Sequence, residues 1–259
     1  MKLGLCFLIY DKIEFESVWD EWIKGNEEHI STYIHSKHLP ILTTNYFLSN
    51  AQIVKTVPTH KGTWGLVHAT LQMFQEALKD TSNTHCILIS GSCIPVKSAK
   101  YVFDFLQKDV RSFIHELTCH KIAKYFVYIR LPKKTIENRH VGIHSQWILL
   151  NRTHIELLVK DSEIIKGIFE KLSFPDEKWA LTYLNYLGLS SEVCTDILTT
   201  YCNWKERDGT SPKTYLEISE KEIGELLEGP SLFARKFVGN TIVSGKNILL
   251  SDYLEAHRH

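Results

Sequence analysis

The segment LGLCFLIY, residues 3–10, determines the expected fold class because it is an unbroken apolar run of strand length. It is too short to cross a membrane as a helix, and no small-residue cleavage site follows it. The next segment, FESVWDEWIKG at residues 15–25, has apolar residues at helical spacing. The sequence therefore predicts a buried first strand followed by a surface helix.

The same alternation continues along the first third of the chain. STYIHS (31–36) and HCILIS (85–90) have strand length, and WGLVHATLQMFQEALKD (64–80) has helical periodicity. Such alternation predicts an α/β fold with a mainly parallel sheet covered by helices. Ligands of these folds bind at the carboxyl ends of the strands, so the loops after the three strands are the expected place of a site.

Beyond residue 110 the pattern is less regular. The segments interpreted as strands are SFIHEL (112–117), FVYIRL (126–131) and SQWILLN (145–151). The next segment, THIELLVKDSEIIKGIFEKL (153–172), is interpreted as either a broken helix or two short helices, and SEKEIGELLEG (219–229) as a single helix. Between these helices, the polar, turn-rich segment TYCNWKERDGTSPKTY (200–215) is interpreted as a mobile surface loop.

The composition is that of one folded domain without a strong overall charge. A chain of 259 residues with 44% hydrophobic content predicts a single domain over residues 1–259. Thirty basic and thirty acidic residues give zero formal net charge, so no global field attracts nucleic acid or an anionic membrane, and any anion site must be local. The cysteines have no CxxC spacing and are interpreted as buried thiols of a reducing compartment: Cys6, Cys86, Cys93, Cys119, Cys194 and Cys202.

Several familiar motifs are missing from the sequence. It contains no GxxxxGK[ST], no GxGxxG after the first strand, no GxSxG and no HExxH, which removes the usual support for nucleotide hydrolysis, dehydrogenation and metalloproteolysis. It also lacks the DxD triplet by which many sugar-nucleotide enzymes hold a metal against a diphosphate. A diphosphate bound here would have to be held by lysine and arginine.

Eight segments occur in series along residues 3–240: LIYDKIEFESVWDEWI, ISTYIHS, TWGLVHATLQMFQEALKD, CILISGSCIP, HSQWILLNRTHIELLVKD, FPDEKWALTYL, NW and SLFARKF. In this order and spacing they resemble the core-2/I-branching N-acetylglucosaminyltransferase family, most closely its plant-like branch. The resemblance implies a GT-A-like fold and inverting, metal-independent transfer of N-acetylglucosamine, xylose or glucuronic acid from a UDP-sugar donor to a carbohydrate acceptor, without a cofactor.

The resemblance implies that Glu177, in FPDEKWALTYLNYL (174–187), is the catalytic base. Inversion at an anomeric carbon needs one carboxylate to take the proton of the attacking hydroxyl, a contribution of about 10²–10⁴-fold. The alternative is an ordinary helix start, in which Pro175 occupies the first turn and both acids interact favourably with the helix dipole. If Glu177 is the base, Asp176 is its capping or orienting neighbour.

The same resemblance implies which cations hold the diphosphate. Lys236 of FARKF matches the family lysine, and Lys213, twenty-three residues earlier, stands where the family usually has arginine. Arg235 is a third candidate. Lysine at position 213 keeps the charge but lacks the bidentate fork of arginine.

The uridine is expected at the ends of the first two strands, beside Tyr10, Asp11, His35 and Ser36. Ser36 replaces an acid that the family often has, and Asp11 is a candidate to compensate for it. Gly91 in SGSCIP stands where plant-like members have aspartate, and its small size would let the backbone approach the donor.

For the acceptor, Trp204 matches a family tryptophan, and Ser145 and Gln146 are candidates for hydrogen bonds to sugar hydroxyls. Trp147 and Trp64 are equally compatible with core positions. The family's acceptor-binding basic residues fall near Lys121 to Arg139, where this sequence carries no matching motif, so the sequence does not specify which carbohydrate is the acceptor.

The chain starts almost directly at its first strand, whereas animal and plant members of the family carry a membrane anchor, a stem and secretory disulfides. The expectation is a cytoplasmic enzyme of bacterial or viral origin without a transmembrane segment, the alternative being a truncated Golgi-type domain. A non-catalytic carbohydrate- or nucleotide-binding protein that retains the fold is the second functional interpretation. A sulfotransferase is disfavoured because YDKIE after the first strand offers no phosphate-cradling loop.

Overall fold

The computed structural model of the chain describes residues 1–118, 121–132 and 136–257. Over these residues the main sheet has seven strands in the order β3-β2-β1-β4-β7-β6-β8, and two three-stranded sheets, β10-β12-β13 and β5-β11-β9, lie beside it. The strands are β1 Lys2–Ile9, β2 Ile30–Ser36, β3 Gln52–Ile53, β4 Asn83–Ser90, β5 Ile94–Pro95, β6 Ser112–Phe113, β7 Leu149–Asn151, β8 Val193–Cys194, β9 Thr200–Cys202, β10 Tyr215–Ile218, β11 Phe233–Arg235, β12 Phe237–Val243 and β13 Ile248–Leu249.

Helices cover both faces of the main sheet. The helices are α1 Glu16–Ile23, α2 Asn45–Asn50, α3 Trp64–Ala77, α4 Ala99–Lys108, α5 Lys121–Tyr128, α6 Arg152–Lys160, α7 Ser162–Phe169, α8 Trp179–Tyr186, α9 Glu220–Glu228 and α10 Leu250–Ala256. Within the described residues, no helix is both long enough and apolar enough to cross a membrane.

Strand pairing in the main sheet is mixed but mainly parallel. β1 pairs in parallel with β2 and β4, β2 with β3, and β6 with β8, whereas β7 is antiparallel to both β4 and β6. The α/β class with a mainly parallel sheet is therefore confirmed. In this register Ile9 lies opposite Ser36, and Leu8 lies opposite Ser90. The loops that follow β1, β2 and β4 consequently leave the sheet at one edge.

The pleat of β1 divides the core into two layers. Leu3, Leu5 and Phe7 point into the cluster that includes α1 and α4, whereas Cys6 points into the cluster that includes α3 and α8. In the first of these clusters, Trp19 of α1 stacks on the ring of Phe233 at 5.5 Å between centroids. Burying an aromatic side chain of this kind contributes about 1.5–3 kcal/mol.

The carboxyl-terminal part of the chain brings its residues back to the main sheet. β11 pairs with β9 in parallel and with β5 in antiparallel orientation, so it lies next to the loop that follows β4. The predicted helix at 219–229 is observed as α9, and Ser219 and Glu222 form a capping box at its start. This packing places the segment after β11 beside the loops of the main sheet.

Three predictions from the sequence need correction. FVYIRL is not a strand: residues 126–128 end helix α5, and the Ile129 N–H donates to the Tyr125 carbonyl four residues earlier, as in a helix. The segment 200–215 is not simply a mobile loop, since it contains strand β9 and the buried Asn203, whose side-chain oxygen accepts hydrogen bonds from the backbone N–H groups of Lys205 and Glu206. SFIHEL and SQWILLN form shorter strands than expected, β6 and β7.

The cysteines behave largely as predicted within the described residues. Four are buried and one is partly buried, and none of these five forms a disulfide: Cys6, Cys86, Cys93, Cys194 and Cys202. Cys119 lies outside the described residues. The predicted broken helix over 153–172 is observed as α6 and α7, which meet at Asp161.

Candidate active site

A cleft of about 550 Å³ opens at the carboxyl ends of β1 and β4. Nine of the residues predicted for the site line it, and three, Lys213, His35 and Ser36, are not among its lining residues. The nine are Tyr10, Asp11, Gly91, Ser145, Gln146, Glu177, Trp204, Arg235 and Lys236. The parallel strand register accounts for the first three, because it brings the ends of β1 and β4 together.

Tyr10 presents an exposed ring at one end of the cleft. Its side chain is 69% exposed, and the Lys37 ammonium lies 5.0 Å from the ring centroid. Ser36 does not reach the cleft itself, but its hydroxyl donates a hydrogen bond of 3.0 Å to the Tyr10 carbonyl oxygen. Ser36 therefore fixes the backbone that carries Tyr10 and Asp11.

His35 is a structural histidine in this arrangement. It is fully buried, and its Nε2 accepts a hydrogen bond of 2.9 Å from the backbone N–H of Val57. Burial lowers the pKa of the imidazole, so the ring is neutral at pH 7. The bond ties the end of β2 to the segment that leads into α3.

Gly91 is required by a close backbone contact inside the protein. A Cβ atom at this position would lie 2.4 Å from the carbonyl oxygen of Lys12. The Gly91 carbonyl in turn accepts a hydrogen bond of 2.7 Å from the Glu14 backbone N–H. The space freed by the missing side chain is thus filled by the loop after β1, and glycine here holds two cleft loops together.

Three cations, Lys236, Arg235 and Lys61, form a cationic wall of the cleft. Lys236 is partly buried, and its pKa is lowered first by burial and then by the neighbouring charges of Arg235 and Lys61. Within the described part of the chain, no carboxylate lies within ion-pair distance of Lys236, Arg235 or Lys61. Three like charges near one another, none of them in an ion pair among the described residues, form a local anion site, and the charge of Asp208 offsets only part of the shift at Lys236.

Lys61 is a member of this cationic wall that the sequence did not reveal. Its ammonium donates to the carbonyl oxygen of Thr210 at 3.0 Å, to the Thr210 hydroxyl at 2.9 Å and to the Ser211 hydroxyl at 3.0 Å. These neutral acceptors position the charge without cancelling it. Nothing in the local sequence around position 61 signals this role, because the partners are about 150 residues away.

Arg235 is held flat against an aromatic ring. Its guanidinium carbon lies 4.3 Å from the centroid of Trp147, and its Nε donates a hydrogen bond of 3.2 Å to the Ser90 hydroxyl. Trp147 is 6% exposed and lines the cleft, so it acts as both a core residue and a support for the arginine. Ser90 also lines the cleft and was not predicted.

Lys213 is engaged elsewhere. Its ammonium lies 2.9 Å from a carboxylate oxygen of Glu206 and 3.5 Å from one of Glu222. It also lies 4.7 Å from the centroid of the Tyr215 ring. The hydrogen bond to Glu206 is the main reason that the pKa of Lys213 is raised.

Pro175–Glu177 forms a separate 3-10 turn that precedes α8. The prediction that both acids lie in the first turn of that α-helix is therefore wrong. Phe174, just before the turn, has a left-handed backbone with φ of 51°. This conformation is costly for an aromatic residue. The Phe174 N–H donates to the Gly62 carbonyl at 3.0 Å, and a Cβ on Gly62 would lie 3.1 Å from the phenyl ring.

The geometry does not give Asp176 a helix-capping role. Neither the 3-10 turn nor α8 has a side-chain hydrogen bond at its N-cap. Asp176 is 5% exposed, and its Oδ1 has no hydrogen-bond partner among the described residues. Burial, together with the charge of Glu177, raises the pKa of Asp176 to about 6.

Glu177 is partly buried and faces the cleft. Burial raises the pKa of its carboxyl, and the charges of Lys178 and Lys61 oppose that rise. Its backbone is held from both directions, since the Glu177 carbonyl accepts from the His144 N–H at 2.8 Å and its N–H donates to the Phe174 carbonyl at 3.2 Å. The backbone that carries the carboxyl is therefore fixed, and Glu177 forms no ion pair with any described residue.

Polar and aromatic groups complete the cleft beside Glu177. Trp204 is 50% exposed. The Ser145 N–H donates to the His115 carbonyl at 2.9 Å, and the Ser145 hydroxyl accepts from the Trp147 N–H at 3.3 Å. Gln146 lies between these anchored residues and lines the cleft. Phe174, 39% exposed, is a further aromatic lining residue that the sequence did not indicate, because its backbone conformation depends on Gly62.

Comparison with known proteins agrees with these features. Residues 4–227 match the core-2/I-branching enzyme family. The chain is 26% identical over 252 residues to glycosyltransferase BC10 of rice, Oryza sativa subsp. japonica, an alignment that covers 83% of this chain and 62% of the rice protein. The chain thus spans less than two thirds of that relative.

Solved structures of the galactosyltransferase LgtC were also found. The complex of LgtC with donor and acceptor sugar analogues has a TM-score of 0.42 and 9% identity, and an active-site mutant of LgtC has a TM-score of 0.40 and 9% identity. Each match covers 90% of this chain and 86% of the LgtC chain. On the extent of the family match, this chain belongs to the core-2/I-branching enzyme family of glycosyltransferases.

Proposed function

We propose that the protein is an inverting, metal-independent glycosyltransferase that moves a sugar from a UDP-sugar to a hydroxyl of a carbohydrate acceptor, with Glu177 as the base. The sugar is of the N-acetylglucosamine, xylose or glucuronic acid class. One observation carries the proposal: the Glu177 carboxyl and a set of cations that form no ion pair with any described residue line the same cleft. The chain acts as one catalytic domain over residues 1–259.

The raised pKa of Glu177 suits a general base. A carboxyl whose charged form is partly desolvated accepts a proton more readily than a solvated one, and proton transfer of this kind contributes about 10²–10⁴-fold to the rate. The acceptor hydroxyl would give its proton to the Glu177 carboxylate as its oxygen attacks the anomeric carbon. Hydrogen bonds from His144 and to Phe174 hold the Glu177 backbone at the cleft, which limits the positions that its carboxyl can reach during that step.

The cationic wall suits the leaving group. UDP departs with growing negative charge on its β-phosphate, and Lys236, Arg235 and Lys61 offer positive charge that needs no reorganisation. Binding of the diphosphate would also relieve the mutual repulsion that lowers the pKa of Lys236. The bound diphosphate therefore reduces the repulsion among the three cations, and the cations in turn bind the diphosphate.

The remaining residues fit the two other parts of the reaction. The exposed ring of Tyr10 can stack on the uracil, and Asp11 beside it can accept hydrogen bonds from the nucleoside. Trp204 offers a face for the C–H side of an acceptor sugar, while Gln146 and Ser145 can bind its hydroxyls.

Two measurements on the wild-type protein test the proposal. Calorimetry with UDP in the presence of EDTA should show binding, and addition of Mn²⁺ should leave the affinity unchanged. Proton NMR of the three donor classes should then show slow hydrolysis or transfer with inversion, that is, a β-linked sugar from an α-linked donor. Binding that requires Mn²⁺, or a retained anomeric configuration, would refute the mechanism; UDP binding without turnover of any donor would favour the non-catalytic alternative.

A further inference from the structure

Helix α5 and the turn after it expose an unusual set of large hydrophobic side chains. Tyr125, Phe126, Tyr128 and Ile129 are 37–52% exposed. Their spacing places them on one face of the helix, and Val127, on the opposite face, is buried in the core. The aromatic face therefore points away from the protein.

The helix is firmly attached, so the exposed face is presented by an ordered element. Val127 and Leu131 pack in the core layer that contains α3 and α8. The Lys124 ammonium lies 2.5 Å from a carboxylate oxygen of Glu116. Glu116 sits between His115 and Leu117, which line the cleft, so α5 packs behind a wall of the active site.

The segment that contains this face differs in charge from the rest of the chain. Residues 121–139 contain six basic residues and one acidic residue, a net charge of +5, in a chain whose formal net charge is zero. Two of these cations, Lys133 and Lys134, lie outside the described residues and count only as charge. No described residue of this segment lines the cleft, so the segment is not part of the site described above.

We propose that the aromatic face of α5 docks on an anionic lipid bilayer. Tyrosine and phenylalanine beside lysine and arginine are the composition of helices that lie in the bilayer interface, where rings insert between head groups and cations contact the lipid phosphates. Lys121 and Arg130 flank the four exposed hydrophobic residues and supply that charge next to them. The acceptor would then be reached by an enzyme held at a membrane surface.

The same charges disfavour two other occupants. A second copy of this chain would bring one segment of net charge +5 against another across a two-fold axis, which opposes association. Single-stranded nucleic acid is usually bound in a groove that follows its backbone, whereas these side chains lie on the outward face of one helix. A flat anionic surface fits both the convex shape and the charge.

Vesicle flotation tests the proposal with the whole chain. Vesicles of phosphatidylglycerol should carry the protein to the top of a density gradient, vesicles of phosphatidylcholine should carry at least about tenfold less, and added salt should weaken the binding. Phe126→Ser should reduce partitioning about tenfold through the lost apolar area. Lys121→Ala should reduce it about fivefold through the lost charge.

Tyr101→Ser is the matched control, because Tyr101 is 47% exposed on α4, which packs on the other face of the main sheet. It should leave partitioning unchanged. Thermal melting would verify that each variant is folded. Equal losses in Phe126→Ser and Tyr101→Ser, or no preference for phosphatidylglycerol, would overturn the proposal.

Two further results would also overturn it. One is self-association in sedimentation that Phe126→Ser abolishes while vesicle binding is absent. The other is binding of a labelled oligothymidylate, again without vesicle binding, that depends on Phe126 and Lys121.

Discussion

The two walls of the cleft contrast in charge but share one physical condition. On the acidic wall, Asp176 and Glu177 have raised pKa values because burial disfavours their charged forms. On the cationic wall, the pKa of Lys236 is lowered for the same first reason. In both cases burial outweighs the nearby opposite charges, which are Lys178 and Lys61 for Glu177 and Asp208 for Lys236, and no described residue forms an ion pair with either group.

Charged groups that form no ion pair, as in the cleft, differ in this way from charged groups whose ion pairs stabilise the fold. Ion pairs elsewhere in the molecule shift pKa values the other way: the ammonium of Lys2 lies 2.7 Å from Asp80 and is the main reason that the pKa of that carboxyl is well below its usual range. Desolvated charges without partners reduce the free energy of unfolding, and they tend to be found where binding or catalysis uses them. If Glu177 acts as the base and the cations bind the diphosphate, substitutions at the two kinds of residue should change different measured quantities.

The largest expected effect is that of Glu177→Gln on turnover. The amide keeps the size of the side chain but cannot accept the acceptor's proton, so turnover should fall by about 10²-fold or more while UDP affinity changes little. Initial rates with a working acceptor, or of UDP-sugar hydrolysis until one is found, provide the measurement.

Glu170→Gln is the control for this substitution, because Glu170 is an exposed acid just after α7. It should retain the wild-type rate. If Glu177→Gln turned over normally with a real acceptor, the base would have to be sought at Asp176, Asp11 or Glu206.

Lys236→Ala should have the second largest effect, and on binding rather than on structure. Loss of a charge-assisted bond to the diphosphate should weaken UDP affinity by about 1.5–3 kcal/mol, measured by calorimetry in EDTA. The variant should melt no lower than the wild type, since the lost ammonium is repelled by Arg235 and Lys61 in the free protein. A matched loss of affinity in Lys205→Ala, which removes an exposed cation of the loop after β9, would show that the effect is one of general charge.

Asp176→Asn should stabilise the protein in a pH-dependent way. Because the pKa of Asp176 rises from 3.8 to about 6 on folding, its ionisation costs stability that is absent below pH 4, grows through pH 4–6 and is complete above pH 6. The whole linkage amounts to at most about 3 kcal/mol, and the amide, itself incompletely hydrogen-bonded, should recover about 1–2 kcal/mol of it.

Denaturant unfolding at pH 4 and pH 7.5 checks this prediction. The wild type and Asp176→Asn should have equal free energies of unfolding at pH 4, and the variant should be the more stable at pH 7.5. A variant less stable at pH 7.5 would mean that the Asp176 carboxylate has a favourable partner in the folded protein, which would remove the parallel between the two walls.

Much of the fold could be predicted because burial leaves a local pattern. The apolar runs that became β1, β2 and β4 and the periodic segment that became α3 lie within a few residues of their predicted ends. The strand prediction for FVYIRL is wrong because aromatic and β-branched residues favour strands in general. In this protein Phe126, Tyr128 and Ile129 are exposed at the end of a surface helix, and Val127 is buried on its other face. Periodicity cannot distinguish these outcomes over six residues.

The candidate site could be predicted less completely, because its details depend on distant contacts. The strand ends and the PDE turn identified Tyr10, Gly91 and Glu177 as neighbours of a cleft. Lys61 could not be identified, since it is positioned by Thr210 and Ser211 far along the chain. Spacing along the sequence identified Lys213 as a candidate but could not show that Glu206 and Glu222 lie next to its ammonium.

Lys213→Ala should therefore have the smallest effect on UDP affinity of the charge substitutions at predicted site residues, although spacing suggested a diphosphate contact. Its ammonium lies 2.9 Å from Glu206 and 3.5 Å from Glu222, so UDP would have to draw it away from two carboxylates. Glu222 also belongs to the capping box of α9. Removing the ion pairs of Lys213 should therefore lower the free energy of unfolding by about 0.2–1 kcal/mol and change UDP affinity little. Calorimetry with UDP and urea unfolding on the same sample measure both quantities, and Lys205→Ala is again the reference. A loss of UDP affinity equal to that of Lys236→Ala would show that Lys213 moves into the cleft when the donor binds, and that a cation with acidic partners can serve the diphosphate as well as one without them.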